Sequence, residues 1–175
     1  MSWVVWITGL PGSGKSTVAE ALKKKIPDTE ILGMDELRKI VTPDPAYSDS
    51  ERDHVYRALV YTAKTLHKLG HNVIIDATGN RQLWRQLART EIPGFIEVYL
   101  KCQLELCMKR ERTRIDRHAA PAGIYKKAEN GWPVPGVNVP YEEAAKPDLT
   151  IDSGKNSPGE AAEMIAEIIG GTAKV

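Results

Sequence analysis

The sequence predicts an α/β fold in which helices cover both faces of a five-stranded parallel sheet, in three layers. Short apolar runs alternate along the chain with longer segments of helical periodicity, the order expected of strand–helix–strand units. The apolar runs are nearly continuous, as in strands that are buried on both faces. A chain of 175 residues also has the length of one domain, so we expect residues 1–175 to form a single unit.

Five apolar runs are the predicted strands of this sheet. The first is rich in β-branched and aromatic residues, and the other four are continuous or nearly so. They are Trp3–Thr8, Thr29–Leu32, Asn72–Ile75, Phe95–Leu100 and Leu149–Ile151.

The predicted helices lie between these runs and carry start and stop signals. Lys15–Lys25 places its apolar residues on one helical face. Ser48–Glu51 is a capping box, in which a serine and a glutamate three residues later satisfy backbone N–H groups at the start of a helix. Apolar residues at helical spacing follow it, and Gly70 supplies the stop. A second capping box, Ser157–Glu160, begins a helix that we expect Gly170 and Gly171 to close.

The segment from residue 112 to residue 147 breaks the alternation. It carries five of the eleven prolines and no strand of useful length. Such a long irregular segment in a compact domain is usually either functional or disordered. Its aromatic residues and the short helical stretch IYKKA favour an ordered structure, so we predict a lid over the site.

The loop after the first predicted strand carries a phosphate-binding motif. It satisfies the pattern G-x-x-x-x-G-K-[ST], and it stands between a strand and a helix as the motif requires. Its glycines let backbone N–H groups turn toward an anion, and the next helix adds the positive end of its dipole. Lys15 is expected to reach the β- and γ-phosphates, and the Ser16 hydroxyl to bind Mg²⁺. We therefore predict a P-loop NTPase fold that binds ATP and Mg²⁺ through Gly9, Leu10, Pro11, Gly12, Ser13, Gly14, Lys15, Ser16 and Thr17.

Two aspartates follow predicted strands and should lie at the carboxyl edge of the sheet, where open α/β folds bind ligands. Asp76 is expected to hold Mg²⁺ together with Ser16 and to face the substrate. Asp35 is better placed to orient or deprotonate an attacking hydroxyl. The alternative for each aspartate is a structural cap at the start of the next helix.

Several arginines are candidates for anion binding. Arg38 lies one helical turn beyond Asp35, and Arg52 lies near the start of the long capped helix, so both are suited to grip an anionic substrate. A further cluster is suited to cover the transferring phosphates, and Arg110 is its predicted ATP contact. An exposed basic face is the alternative for this cluster, which consists of Arg110, Arg112, Arg114 and Arg117.

Composition excludes several classes of function. The formal net charge of +1 provides no basic surface for nucleic acid or for an acidic membrane, so we expect neither as a partner. Cys102 and Cys107 are the only cysteines, and their spacing fits neither a disulfide framework nor a zinc site. The apolar run at the N-terminus has no basic leader and is too short to span a bilayer. We therefore expect a cytoplasmic protein.

From about residue 3 to residue 153, the chain resembles the adenylyl-sulfate kinases. The shared motifs are GLPGSGKST, the pair Asp35 and Arg38, and Tyr47-Ser48 followed by Arg52. The similarity is more distinctive in the predicted lid, where GIYKKAENG and then VPGVNVPYEEAAKPDLTID match the patterns of that family.

This resemblance implies ATP-dependent phosphorylation of the 3′-hydroxyl of adenylyl sulfate to give 3′-phosphoadenylyl sulfate, a step of sulfate assimilation. It implies that Asp35 aids the acceptor hydroxyl in catalysis, and the loop motif predicts a catalytic role for Lys15. It also implies that Arg38 and Arg52 contact this small-molecule substrate.

The same resemblance implies that two aromatic side chains enclose the substrate adenine. Tyr47 matches one of them. The other position is occupied by Val134, and Trp132, two residues earlier, is the expected replacement.

Two alternatives stay open at the level of the sequence. Kinases for another small hydroxyl substrate, such as a sugar, a nucleoside or a polynucleotide 5′-end, also carry the D-A-T-G-N sequence found at residues 76–80. A regulatory module that binds nucleotide without catalysis would need the glycine-rich loop and would not need Asp35. The sequence is also compatible with a homodimer.

Overall fold

The computed structural model describes residues 2–114 and 121–172, and its sheet confirms the predicted fold class. The five strands are β1 (Val4–Thr8), β2 (Thr29–Gly33), β3 (Asn72–Asp76), β4 (Phe95–Lys101) and β5 (Leu149–Asp152). They are all parallel and lie in the order β2-β3-β1-β4-β5. Each strand lies where an apolar run predicted one, with its ends within one residue of the prediction.

Helices connect the strands and cover the sheet. Within the described residues they are α1 (Lys15–Lys25), α2 (Met34–Val41), α3 (Asp49–Lys68), α4 (Gln82–Glu91), α5 (Leu104–Thr113), α6 (Ile124–Ala128) and α7 (Pro158–Thr172). The sequence patterns predicted α1, α3, α6 and α7, whereas no bounds for α2, α4 and α5 follow from them. Among the described residues, none of these helices is both long enough and apolar enough to cross a bilayer.

The predicted capping box is present in full at α7 and in half at α3, where the Glu51 carboxylate accepts from the N–H groups of Ala46 and Tyr47. Ser48 Oγ accepts a hydrogen bond from the Glu51 N–H at 3.2 Å. At α7 the box is reciprocal, because the Glu160 carboxylate accepts from the Ser157 N–H at 2.7 Å and Ser157 Oγ accepts from the Glu160 N–H at 3.3 Å. The predicted stop of α3 is also confirmed, since Gly70 follows the helix with a φ of +91°.

One predicted helix end is wrong. Gly170 and Gly171 lie inside α7, which continues to Thr172. Ala162 and Ile165, earlier in the helix, are fully buried against the sheet and α1. This packing outweighs the loss of about 1 kcal/mol that a glycine brings to a helix interior.

The core consists of one apolar cluster on each face of the sheet. Val5 and Ile7 of β1 point toward α1 and α7, and Val4 and Trp6 point toward α3 and α4. This alternation is the two-residue period of a strand, and here both faces are apolar because helices cover both. The strand ends, where the loops begin, are left to carry polar groups.

A third apolar cluster orders the proline-rich residues 121–147, which we call the lid segment. Tyr125 and Val134 of this segment are buried with Cys107 of α5. Leu10, from the loop after β1, packs against the same cluster. Residues 115–120 of the predicted lid lie outside the described residues, and residues 112 and 113 belong to α5.

Candidate active site

A cavity of about 430 Å³ opens at the carboxyl edge of the sheet. Its walls come from the loop after β1, the first turns of α1 and α2, the end of β3, the C-terminal part of α5 and the lid segment. Every predicted catalytic, substrate-binding and metal-binding residue lines this one cavity: Lys15, Ser16, Asp35, Arg38, Tyr47, Arg52, Asp76 and Trp132.

The glycine-rich loop has the backbone shape that its motif requires. Gly12 and Gly14 have φ values of +78° and +102°, in the left-handed region that favours glycine. A Cβ on Gly12 would also lie 2.5 Å from the Cys107 carbonyl oxygen, so the loop packs against α5 too closely for a side chain. At the start of α1 no side chain caps the helix and no acidic residue lies in the first turn, so the site suits an exogenous anion.

Of the nine loop residues predicted to bind ATP, the seven from Pro11 to Thr17 line the cavity, and so does Arg110, the tenth predicted ATP contact. Gly9 and Leu10 are not part of its wall. The Leu10 side chain turns into the apolar cluster of the lid segment, because a leucine gains more from burial there than from a polar phosphate site.

Lys15 is the buried positive charge of the loop. Its Nζ donates hydrogen bonds to the carbonyl oxygens of Gly9 and Leu10 at 3.1 and 3.0 Å. Burial lowers the pKa of Lys15, while the negative charges of Asp76 and Asp35 oppose this shift. The ammonium group therefore lies between the glycine-rich loop and two carboxylates.

Asp35 and Asp76 lie at adjacent strand ends, as predicted. Asp76 ends β3, beside Gly33 of β2, and Asp35 is the second residue of α2, directly after that strand. Burial and the charge of Asp76 raise the pKa of Asp35, while Lys15, Arg38 and Arg114 lower it. Burial is the larger of the two causes that raise this pKa, and the nearby Asp76 carboxylate adds to it.

Arg38 and Arg52 are both buried beside Tyr47. Arg38 forms an ion pair with Glu51 at 2.9 Å, and its guanidinium lies 4.9 Å from the centre of the Tyr47 ring. Arg52 donates to the carbonyl oxygens of Tyr47 and Pro133 at 3.1 and 3.2 Å. The two guanidinium groups are thus fixed at the cavity wall before any anion is bound.

Tyr47 and Trp132 contact each other across the cavity. Their ring centres are 4.9 Å apart and their planes are inclined by 60°. Tyr47 has a φ of +54°, a conformation that few residues other than glycine adopt and that fixes its orientation here. Of the two candidates for the second aromatic position, Trp132 faces Tyr47, and Val134 is buried in the cluster with Tyr125.

Arg110 lies on α5 and joins two parts of the cavity wall. Its guanidinium donates to the Ser13 carbonyl oxygen at 3.1 Å, to Ser153 Oγ at 3.1 Å and to the Ser153 carbonyl oxygen at 2.7 Å. It therefore supports the glycine-rich loop from the side of β5.

The other arginines of the predicted cluster differ in position. Arg114 lines the cavity, and its positive charge acts on both Lys15 and Asp35. Its Nε is buried and has no hydrogen-bond partner among the described residues. Arg112 is exposed on α5, and Arg117 lies outside the described residues.

Several cavity residues have no predicted role. Tyr56 lies in an aromatic stack between Trp6 and Trp84, with ring centres 6.0 and 4.0 Å away, and its hydroxyl accepts from the Gly79 N–H at 2.9 Å. Asn80 is also buried at the cavity wall. The D-A-T-G-N sequence could have drawn attention to Asn80, but no local pattern reveals the stack.

Comparison with known proteins gives a consistent result. A family model described as Adenylylsulphate kinase matches residues 1–152. The chain is 37% identical over 162 residues to a protein of Archaeoglobus fulgidus named probable adenylyl-sulfate kinase, covering 89% of this chain and 99% of that protein. It is 34% identical over 182 residues to the adenylyl-sulfate kinase of Bacillus pumilus, covering 99% of this chain and 87% of that protein.

A solved structure agrees with these sequence relatives. The APS kinase of Mycobacterium tuberculosis, determined in complex with AMPPNP and APS, superposes with a TM-score of 0.84. The two chains are 30% identical, and the match covers 96% of this chain and 97% of the other.

Proposed function

Because this chain belongs to the adenylyl-sulfate kinase family, we propose that it transfers the γ-phosphoryl group of ATP to the 3′-hydroxyl of adenylyl sulfate. The observation that carries this proposal is the composition of one cavity. A phosphate-binding loop with its lysine forms one side, and Asp35, Arg38, Arg52 and the pair Tyr47–Trp132 form the other.

The loop fits a triphosphate in three respects. Gly12 and Gly14 shape the backbone, the N-terminus of α1 has no side-chain cap, and Lys15 is buried beside it. Arg110 helps to bind ATP by holding the Ser13 carbonyl, and so the loop, in place. Hydrogen-bond donors that are fixed before the substrate binds need no reorganisation in the transition state.

Ser16 and Asp76 fit a magnesium ion that binds together with the nucleotide. A hydroxyl and a carboxylate are the hard oxygen ligands that Mg²⁺ takes, and both line the cavity. Such an ion, when bound, neutralises charge on the β- and γ-phosphate oxygens. Asp76 also lies close enough to Lys15 for its negative charge to oppose the lowering of the lysine pKa by burial.

Asp35 is the proposed partner of the attacking hydroxyl. It lies opposite the glycine-rich loop, and its raised pKa makes it a better proton acceptor than an ordinary aspartate. Its role is to hold the hydroxyl in line for attack and to take its proton as the new P–O bond forms.

Arg114 is the arginine that we assign to the transferring phosphoryl group. Its charge acts on Lys15, which is assigned to the phosphates, and on Asp35, which is assigned to the attacking hydroxyl, and its Nε has no partner among the described residues. A guanidinium in this place stabilises the negative charge that spreads over the phosphoryl oxygens in the transition state.

We assign the acceptor nucleotide to the part of the cavity wall formed by two arginines and two aromatic residues. Arg38 and Arg52 supply fixed positive charge for its phosphosulfate group, since a guanidinium binds such oxyanions well. Tyr47 and Trp132 supply two flat apolar surfaces for its adenine.

The test is release of ADP with ATP, Mg²⁺ and a panel of acceptors. We expect turnover with adenylyl sulfate at a kcat/KM at least about a hundredfold above that with a sugar, a nucleoside or an oligonucleotide with a free 5′-hydroxyl. Fast turnover with one of those acceptors instead would reassign the substrate. Tight ATP binding with no turnover on any acceptor would favour a regulatory module.

Three broader expectations belong to the same proposal. The whole chain acts as one kinase domain, it works in the cytoplasm, and it forms a homodimer. Size-exclusion chromatography with light scattering tests the last of these, and a monomer at micromolar concentration would contradict it.

A further inference from the structure

The loop after β3, residues 77–80, forms one wall of the cavity, and side chains behind it fix its backbone. The indole N–H of Trp6 donates to the Ala77 carbonyl oxygen at 2.9 Å. The Thr8 hydroxyl donates to the Thr78 carbonyl oxygen at 2.6 Å. These two carbonyls therefore point away from the cavity, toward β1.

Arg85 of α4 fixes the next part of the loop. Its guanidinium donates to the Gly79 carbonyl oxygen and, at 2.7 Å, to the Glu142 carbonyl oxygen of the lid segment. The same guanidinium forms a buried ion pair with Glu97 of β4 at 2.7 Å. One buried cation thus ties the loop to the lid segment, and the charge of that cation is balanced within the core.

Asn80 follows Gly79 in this loop, and only part of its side chain has a hydrogen-bond partner. It is 2% exposed and lines the cavity. Its Nδ2 donates to the Pro140 carbonyl oxygen at 3.0 Å, and its backbone oxygen accepts from the Glu142 N–H at 2.8 Å. Its Oδ1 is buried and has no hydrogen-bond partner in the described part of the chain.

The position of this unpaired oxygen is determined by its neighbour. Exchanging the two ends of the Asn80 amide would set oxygen against the Pro140 carbonyl and lose the hydrogen bond between them. A buried acceptor without a donor lowers the stability of the protein, and most buried polar groups are paired for that reason. On the wall of a ligand cavity, a donor on the ligand removes this penalty.

We propose that Asn80 binds the acceptor nucleotide and that its Oδ1 accepts a hydrogen bond from an N–H or O–H group of that nucleotide. The inference rests on the proposed function, which makes adenylyl sulfate the acceptor. This molecule offers two sources of such a donor besides the reacting 3′-hydroxyl, namely the exocyclic amine of adenine and the 2′-hydroxyl. Since the loop is fixed by Trp6, Thr8 and Arg85, the oxygen selects for a donor at one place.

The test combines an Asn80→Ala variant with two analogues of adenylyl sulfate, one without the exocyclic amine and one without the 2′-hydroxyl. We expect the variant to lower kcat/KM for adenylyl sulfate by about 10- to 100-fold and to leave the KM for ATP within about threefold. With the wild-type protein, kcat/KM for the analogue that lacks the bonded donor should be lower than kcat/KM for adenylyl sulfate by a similar factor. With that analogue, the Asn80→Ala substitution should lower kcat/KM little further, because the two changes remove the same interaction.

A matched control separates binding from folding. Asn72, at the opposite end of β3, also donates through Nδ2 to a backbone carbonyl, that of Asp28 at 3.1 Å. We expect Asn72→Ala to leave kcat/KM for all three acceptors unchanged.

Two results would overturn the inference alone. The first is an active wild-type protein for which Asn80→Ala lowers kcat/KM by the same factor with all three acceptors, which indicates a purely structural role. The second needs no variant: a wild-type protein that uses both analogues as well as adenylyl sulfate. A wild-type protein that releases no ADP with adenylyl sulfate would instead overturn the proposed function, and the inference with it.

Discussion

Asp35 combines a raised pKa with a position opposite the glycine-rich loop, and its substitution tests the proposed chemistry at the scale of one residue. We expect Asp35→Asn to lower kcat by about 10²- to 10⁴-fold, because the amide keeps the shape and loses the proton acceptor. The affinity for ATP, measured by titration calorimetry, should change little. An unchanged kcat would show that Asp35 has no part in the transfer.

The same residue makes the stability of the protein depend on pH. Burial and the charge of Asp76 raise the pKa of Asp35 above its ordinary value of 3.8, so the folded state binds this proton more tightly than the unfolded state. The stability that the group contributes is therefore complete below pH 3.8 and is lost as the pH rises through the folded-state pKa.

We expect Asp35→Asn to remove this loss and to raise the free energy of unfolding near neutral pH, relative to the wild-type protein. Urea unfolding at several pH values in the presence of EDTA measures this free energy for both proteins. Glu36→Gln, an exposed acid in the same helical turn, is the control. A difference between wild type and Asp35→Asn that does not grow from acidic to neutral pH would contradict the prediction.

Arg114 offers a second test on a single side chain, with a control two residues away. Arg114→Ala should lower kcat by about 10²- to 10³-fold, the usual effect of removing one donor from a transition-state site. Arg112→Ala, at an exposed position of α5, should leave kcat unchanged. Steady-state kinetics at saturating ATP measures kcat for both variants, and equal losses of kcat would rule out a specific role for Arg114.

Site residues could be predicted from the sequence where their surroundings are local. Lys15 and Ser16 belong to a motif whose strand, loop and helix are contiguous, so the pattern contains the geometry. The orphan oxygen of Asn80 depends on Pro140, 60 residues away, and that separation leaves no periodic signal. Arg110 was predicted as an ATP contact, but its bonds to Ser13 and Ser153, 97 and 43 residues away, correspond to no local sequence pattern.

At the scale of elements, α6 of the lid segment reaches the phosphate-binding loop through one hydrogen bond. The Tyr125 hydroxyl donates to the Pro11 carbonyl oxygen at 2.6 Å. We expect Tyr125→Phe to raise the KM for ATP by about 3- to 10-fold, because the carbonyl loses its donor and the loop its restraint. Tyr61→Phe, on an exposed face of α3, is the matched control. A KM for ATP that stays at the wild-type value would show that α6 does not position the loop.

The predicted elements succeeded where a capping residue or an apolar period defined them. Ser48 and Ser157 begin helices as expected, because a cap satisfies N–H groups of the same few residues. The end of α7 was wrong because Gly170 follows a helix face packed against α1 and the sheet, and such packing does not appear in a local pattern.

At the scale of the whole molecule, binding of nucleotide should stabilise the fold through the loop. We expect a nonhydrolysable ATP analogue with Mg²⁺ to raise the free energy of unfolding by about 2.7 kcal/mol at a concentration of 100 times its Kd. Lys15→Ala should lose most of this gain at the same concentration, since the variant lacks the buried ammonium that the loop places beside the phosphates. Thermal melting with and without the analogue measures both, and an equal gain in the variant would contradict the role of Lys15.

The overall fold could be predicted from the sequence because a parallel sheet between two helix layers produces a simple pattern of apolar residues. Both faces of β1 are buried, so Val4 to Ile7 form a continuous apolar run, and the connections between strands are helical. The strand order produces no such pattern. The position of β1 between β3 and β4 depends on contacts between segments that are distant in the sequence.

The contact between Tyr47 and Trp132 has a consequence for wasteful hydrolysis. With ring centres 4.9 Å apart, the two side chains leave no gap for a purine, so an incoming base has to separate them. A water molecule is too small to do this, so the aromatic walls remain together when only water enters the cavity. If separation of the rings also moves the lid segment onto the triphosphate, water becomes a poor competitor of the true acceptor. Little ATP is then hydrolysed when adenylyl sulfate is scarce.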